Sequence, residues 1–246
     1  MRKKHALVTG GSRGIGLSIV RQLLNQRFHV TGTTRNTPFP DEFTGNKSFA
    51  GVTCDQENQE QVLLKLKPLF EDNNSPDILI NNAAIFVDAP VSQDDSTWLE
   101  AWDRTMQINL RSSSLLTKWA LNSWAKKGTE GIIINISSRA AYRGDTGEYA
   151  AYAASKAGMV AFTKSIARSM GNKGITAFSI APGFVNTDMA SNSISVYGEE
   201  YLTQDSVFGD ITPPEEIAEL VVFLASGSLK HASGSTFHIN GGSYMI

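Results

Sequence analysis

The 246 residues include one cysteine, four histidines and eight prolines, and no stretch approaches the roughly 18 consecutive apolar residues that a membrane span needs. Cys54 has no second cysteine with which to close an intramolecular disulfide, so a reducing compartment is expected. His5, His29, His231 and His238 show no metal-ligand spacing, which argues against a structural metal. A surplus of either charge is also missing. The 22 basic and 24 acidic residues give a formal net charge of −2 and are scattered along the chain. No basic face is left to neutralise nucleic-acid phosphates or an anionic membrane. The basic start Met1-Arg2-Lys3-Lys4 is followed by an apolar run that stops at Gly10, too short for a secretory leader. A cytoplasmic protein without nucleic-acid or membrane partners is the expectation.

What is present is an ordinary globular composition, 41% hydrophobic and 19% charged, enough to bury a substantial core. Short β-branched runs at 5–10, 28–34, 77–81, 131–137, 175–181 and 235–240, with a weaker one at 48–52, read as strands. Between them, 14–26, 57–72, 97–126, 152–172 and 213–225 carry apolar positions at helical spacing. Such alternation predicts an α/β fold of the Rossmann type, a doubly wound parallel sheet with helices on both faces. Ile78-Leu79-Ile80 and Ile132-Ile133-Ile134 are apolar without alternation, as strands buried on both faces require. With no repeat and no linker-like stretch, residues 1–246 read as one domain. The segment 188–212 breaks the rhythm and reads as a loop over a substrate site.

Directly after the first strand stands Thr9-Gly10-Gly11-Ser12-Arg13-Gly14-Ile15-Gly16, followed by a helical stretch. Glycines there allow a tight turn and close backbone approach to a pyrophosphate, and the helix N-terminus offers free N–H groups. A Walker-type loop is ruled out because Gly16-Leu17-Ser18 replaces the required Gly-Lys-Ser/Thr. The second strand ends in Arg35, where a fold preferring NAD would place an acid for the ribose diol. Together with Arg13 in the glycine-rich turn, it supplies two guanidiniums for a 2′-phosphate, which predicts NADP(H) in preference to NAD(H). Against this stands the reading of two solvated surface arginines.

The strand 131–137 leads to Ser138, and 14 positions later comes Tyr152-Ala153-Ala154-Ser155-Lys156. Four residues apart on a helix, Tyr152 and Lys156 share a face, so an ammonium beside the phenol would favour its ionised form. That would make Tyr152 a usable proton donor and acceptor near neutral pH. Ser138, at the carboxyl end of a central strand, is placed to polarise a carbonyl.

In these motifs the sequence resembles the short-chain dehydrogenase/reductases, of the group that includes β-ketoacyl-ACP reductases. The likeness spans essentially the whole chain: TGGSRGIG at 9–16, Asp55, NNAA at 81–84, Asn109 within MQINL, Ser138, YAASK at 152–156, PGFVNT at 182–187 and NGG at 240–242. The resemblance implies a sheet of seven strands and hydride transfer between the nicotinamide and a small carbonyl or alcohol substrate, with 3-oxoacyl reduction as one such activity. It implies Tyr152 as general acid/base, Lys156 binding the nicotinamide ribose while lowering the tyrosine pKa, and Ser138 orienting the substrate oxygen. Asn109 would hold a helix kink and a water of the proton relay. The cofactor would be held by Gly10, Ser12, Arg13, Gly14, Ile15, Gly16, Thr34, Arg35, Asp55, Asn82, Ala83 and Ala84, by Tyr152 and Lys156, and by Pro182, Gly183, Val185 and Thr187. A homotetramer or homodimer, packed through helices 97–126 and 152–172 and the last strand, is implied as well. A catalytically idle NADP(H) sensor is the alternative in another class, and an epimerase or dehydratase with tightly held NAD would call for a longer C-terminal substrate region.

Two departures from that group stand out. Arg139 to Tyr149 is more charged and aromatic than in ketoacyl reductases, which suggests that Arg143 or Tyr149 touches an anionic or polar substrate; Arg143 pairing with Asp145 or Glu148 on the surface is the plainer reading. Gly209-Asp210 stands where similar reductases carry Gly-Arg, and no basic patch suited to a carrier protein is evident.

Overall fold

The computed structural model describes residues 3–71, 75–188 and 199–246. Its seven strands, β1 (His5–Val8), β2 (His29–Thr34), β3 (Phe49–Thr53), β4 (Ile78–Asn81), β5 (Gly131–Ile136), β6 (Ile175–Pro182) and β7 (Thr236–Ile239), form one sheet. Their order is β3-β2-β1-β4-β5-β6-β7, with every neighbouring pair parallel. The chain reverses its direction of travel across the sheet between β1 and β4, so a crevice opens beyond the carboxyl ends of those two strands.

The unalternating apolar runs work as expected. Ile78, Ile80, Ile132 and Ile134 pack on one face beneath α1 (Gly14–Asn25) and Pro214–Ala225, whereas Leu79 and Ile133 point to the other face, beneath Leu116, Trp119 and Trp124. The expected strands and helices are all present, with ends shifted by a residue or two. β1 stops at Val8 because Gly10 has turned to φ +65°. Between β3 and β4 lies not one regular helix but an α turn, α2 (Gln59–Gln61), a π turn at Val62–Leu66 and a 3-10 turn at Lys67–Phe70, which Pro68 helps to set.

The long helix expected at 97–126 is likewise divided. It begins as α3 (Asp95–Met106), capped by Asp94, whose Oδ1 accepts from the backbone N–H groups of Ser96 and Thr97 at 3.1 Å each. It passes through a π-helical segment, Gln107–Ser112, and continues as α4 (Ser113–Lys127), which ends on Gly128 in the left-handed conformation. A short helix not foreseen from the sequence, α5 (Ala140–Arg143), follows Ser138, and α6 (Ala150–Met170) carries the Tyr-Lys pair. Of the expected loop at 188–212, positions 189–198 lie outside the described residues. The remainder holds α7 (Glu199–Thr203) and a bridge from Thr212 to Val185, before α8 (Pro214–Ala225). Among the described residues no helix is long and apolar enough to cross a membrane, and no group of three or more potential ligands could hold a metal ion.

The packing of α4 on β5 is tight at one point. A Cβ on Gly131 would overlap the Trp124 ring, which is itself buried and donates its indole N–H to Pro76 O at 2.7 Å. Gly131→Ala should therefore lower the unfolding free energy by about 1–3 kcal/mol in denaturant titration, whereas an unchanged midpoint would contradict this packing.

Candidate active site

The crevice is built first by backbone. Thr9 Oγ1 accepts the N–H groups of Asn82 at 2.9 Å and Ala83 at 3.0 Å. Asn82 returns its amide Nδ2 to the carbonyls of Thr9 at 2.9 Å and Gly10 at 3.1 Å. The ends of β1 and β4 are thus locked together, and the glycine-rich turn is held open above them. Gly16 is the tightest point of the turn, since a Cβ there would overlap the Gly10 carbonyl and crowd the Asn82 amide. The N–H groups of the first turn of α1 remain for a phosphate to accept. Ser12 and Thr34 share a hydroxyl bond of 2.9 Å, tying this turn to the end of β2.

A cavity of about 550 Å³ runs from this cradle to the carboxyl ends of β5 and β6. Every residue expected to hold cofactor lines it, from Gly10 through Asp55 and Ala84 to Thr187, as do Ser138, Tyr152 and Lys156. Arg13 and Arg35 are exposed at its β2 end; Arg13 stands 3.7 Å from Asp188, and Arg35 has no ion-pair partner among the described residues. The cradle, closed to a Cβ at Gly16, the first helical turn and the two cations fit a phosphorylated dinucleotide.

Asn109 alone does not line the cavity. It is fully buried in the π-helical segment, where its Oδ1 accepts Ile85 N–H at 2.8 Å and its Nδ2 donates to Ile85 O at 3.0 Å and Ser155 Oγ at 3.1 Å. The helix irregularity expected at this position is present. Its side-chain amide grips the loop after β4 and α6.

Lys156 is 1% exposed, and its ammonium donates to Ile136 O at 2.8 Å while lying 5.6 Å from the centre of the Tyr152 ring. Ser137 Oγ in turn donates to Lys156 O at 3.0 Å, so the end of β5 and α6 are joined twice. The Ser138 hydroxyl bonds the Tyr152 phenol, which is partly accessible from the cavity. Lys156 is not among the groups that shift the phenol in this structure. Burial pushes Tyr152 up to about 12, the Ser138 bond offsetting part of this and Asp145 adding to it. Burial also pulls Lys156 down to about 7, so its charge is only partial near neutrality.

The charged segment resolves as follows. Tyr149 stacks on Phe86 with centroids 3.9 Å apart, and Phe86 meets Tyr152 edge-on at 4.8 Å. Arg143 is exposed at the cavity wall and forms no ion pair with Asp145 or Glu148. Asp145 instead accepts Thr146 N–H at 2.9 Å, and a bond from Thr146 holds Glu148 below its usual value. Phe86, Phe184 and Arg139 were missed as site residues; for Arg139 the signal was its place immediately after Ser138.

A parallel sheet with a glycine cradle at its crevice, sharing one cavity with a serine, a tyrosine and a lysine, is the arrangement of a dinucleotide-dependent oxidoreductase. The family model described as enoyl-(acyl carrier protein) reductase matches residues 10–244. The 3-oxoacyl-(acyl-carrier-protein) reductase FabG of Vibrio cholerae is 37% identical over 246 residues, covering 99% of this chain and 98% of its own. Among solved structures, a 4-hydroxyisoleucine dehydrogenase mutant complexed with NADH and succinate superposes with a TM-score of 0.89 at 27% identity, covering 98% of both chains. A candidate 2-deoxy-d-gluconate 3-dehydrogenase from Agrobacterium tumefaciens with bound NADP gives 0.86 at 27% identity, covering 99% of this chain and 97% of its own. The chain belongs to the short-chain dehydrogenase/reductase family and is an NAD(P)-dependent oxidoreductase.

Burial of Lys156 has a signed consequence for stability. Its folded value of about 7 lies below the ordinary lysine value of about 10.4, so the folded state binds fewer protons than the unfolded chain between these limits. The penalty of burying the ammonium is complete below the folded value and fades as pH rises toward the unfolded one. In thermal melts, the difference between Lys156→Met and the parent should therefore shift in the parent's favour from about pH 6.5 to about pH 9.5; a constant difference would contradict the assignment.

Proposed function

We propose that this protein is an NADP(H)-dependent carbonyl reductase in which Tyr152 is the general acid. The observation that carries the reading is the shared placement of Ser138, Tyr152 and buried Lys156 around one end of the cavity whose other end holds the glycine cradle.

Gly10, Ser12, Gly14, Ile15 and Gly16 would hold the pyrophosphate, with Thr34, Arg13 and Arg35 around the 2′-phosphate and Asp55, Asn82, Ala83 and Ala84 along the adenosine and ribose. Pro182, Gly183, Val185 and Thr187 would border the nicotinamide. The cofactor's contribution is the hydride carried at C4 of its nicotinamide. In the reductive direction Tyr152 would give its phenolic proton to the carbonyl oxygen as the carbon is reduced. A phenol raised by burial is fully protonated at neutral pH, the state that donation requires, and it faces an alkoxide far more basic than itself. Ser138 donates a hydrogen bond to the same oxygen, and Lys156 stabilises the phenolate left behind.

NADP(H) is favoured over NAD(H) because Arg35, not an acid, directly follows β2, and the NADP held by the Agrobacterium relative supports it. The FabG likeness makes a 3-oxoacyl thioester one candidate substrate. We read the chain as one nucleotide-binding domain of a cytoplasmic enzyme, assembled as a homotetramer or homodimer through α3, α4, α6 and β7, where Leu99 of α3 is half exposed.

Tyr152→Phe should reduce NADPH oxidation with a carbonyl panel by at least about a hundredfold, while cofactor fluorescence reports binding within a few-fold of the parent; turnover that survives would remove Tyr152 from the acid role. Arg35→Ala should lower the ratio of NADPH to NADH affinity by about tenfold, and an unchanged ratio would take the 2′-phosphate away from Arg35.

A further inference from the structure

The wall beside Ser138 holds a cation that the reaction described above does not use. Arg139 is 5% exposed, and among the described residues its guanidinium has no hydrogen-bond acceptor. Its nearest carboxylate, Asp205 Oδ2, stands at 3.7 Å from Nη1, and the group lies 4.7 Å over the Phe184 ring. A guanidinium carries five N–H donors in a rigid fork suited to a planar anion. Holding such a cation largely out of water, with one distant carboxylate and no hydrogen-bond acceptor, is costly.

Arg143 adds to the imbalance. It follows Arg139 by four residues, and its backbone N–H bonds Arg139 O at 3.1 Å, so the two side chains share one side of a single helical turn. Like charges at that spacing repel, and Arg143 has no carboxylate within 4 Å among the described residues. Two acids of the wall are turned elsewhere, Asp145 to Thr146 N–H and Glu148 to the Thr146 side chain, and of the three only Asp205 faces Arg139, at its long distance. Burial first, and then the Arg143 charge, lower the Arg139 pKa against Asp205, Asp145 and Tyr201, which raise it.

We infer that Arg139, with Arg143 outside it, anchors a carboxylate of the substrate, so that the enzyme's preferred substrates are small oxo acids whose acid group lies a few bonds from the reacting carbonyl. The short reach follows from Arg139 and Ser138 lining the same cavity. The inference rests on the reductase reading above and names its substrate class.

The experiment compares kcat/KM, with NADPH, for 4-oxopentanoate and its neutral amide, and for acetoacetyl-CoA as a thioester arm, in the parent, Arg139→Met and Arg143→Gln. The parent should favour the acid over the amide by about 30-fold, mainly through KM, as a charge-assisted bidentate contact implies. Arg139→Met should bring the ratio close to one, and Arg143→Gln, which keeps the buried group, should lower it severalfold. A parent that reduces the amide as well as the acid, or favours the thioester over both, overturns the inference and leaves the reductase intact. An Arg139→Met enzyme with the parent's ratio overturns it too. Reduction of nothing in a wider carbonyl panel overturns both readings.

Discussion

One buried hydrogen bond, from the Lys156 ammonium to the Ile136 carbonyl, fixes the geometry on which the chemistry depends. It joins the last residue of β5 to the middle of the cavity face of α6, and so sets the distance between Ser138, two residues beyond the strand, and Tyr152, one helical turn before the lysine. The contact is costly, because an ammonium is taken out of water, and the same burial brings its pKa to about 7. What the fold provides is its position: the Lys156 amine already lies beside the Tyr152 ring.

The remainder of the site is arranged around that fixed point by polar clamps between elements distant in sequence. Thr9 and Asn82 close the ends of β1 and β4 on each other, and Asn109 grips both the Ile85 peptide and Ser155. The π-helical segment at Gln107–Ser112 gives Asn109 its place in that grip. A regular helix would advance its side chains at an even angular step, whereas the widened turn carries the amide to the loop after β4. Stability spent on such irregularity is expected where a fold positions a site.

Much of this was legible in the sequence, and for identifiable reasons. Strands buried on both faces leave unbroken apolar runs, so Ile78-Leu79-Ile80 and Ile132-Ile133-Ile134 announced the centre of a parallel sheet. Glycines that admit no Cβ, and a tyrosine and lysine one turn apart, are local patterns with local meaning. What escaped was set by tertiary surroundings. Spacing alone shows Lys156 near Tyr152, but not that burial governs both groups. Nothing local to Asn109 indicates that Ile85 and Ser155 would satisfy its amide. An arginine is ordinarily solvated, and only the packing of Phe184 and α7 makes Arg139 a buried cation.

The central claim is that a dinucleotide lies across the ends of β1 and β4 with its reactive ring at the Ser138–Tyr152 end of the cavity. A crystal structure of the protein with NADPH tests it most directly. The account predicts the pyrophosphate on the glycine-rich turn, the 2′-phosphate between Arg13 and Arg35, and the nicotinamide in contact with Tyr152 and Lys156. Density for the cofactor elsewhere, or in this crevice with the nicotinamide turned away from Tyr152, would contradict it.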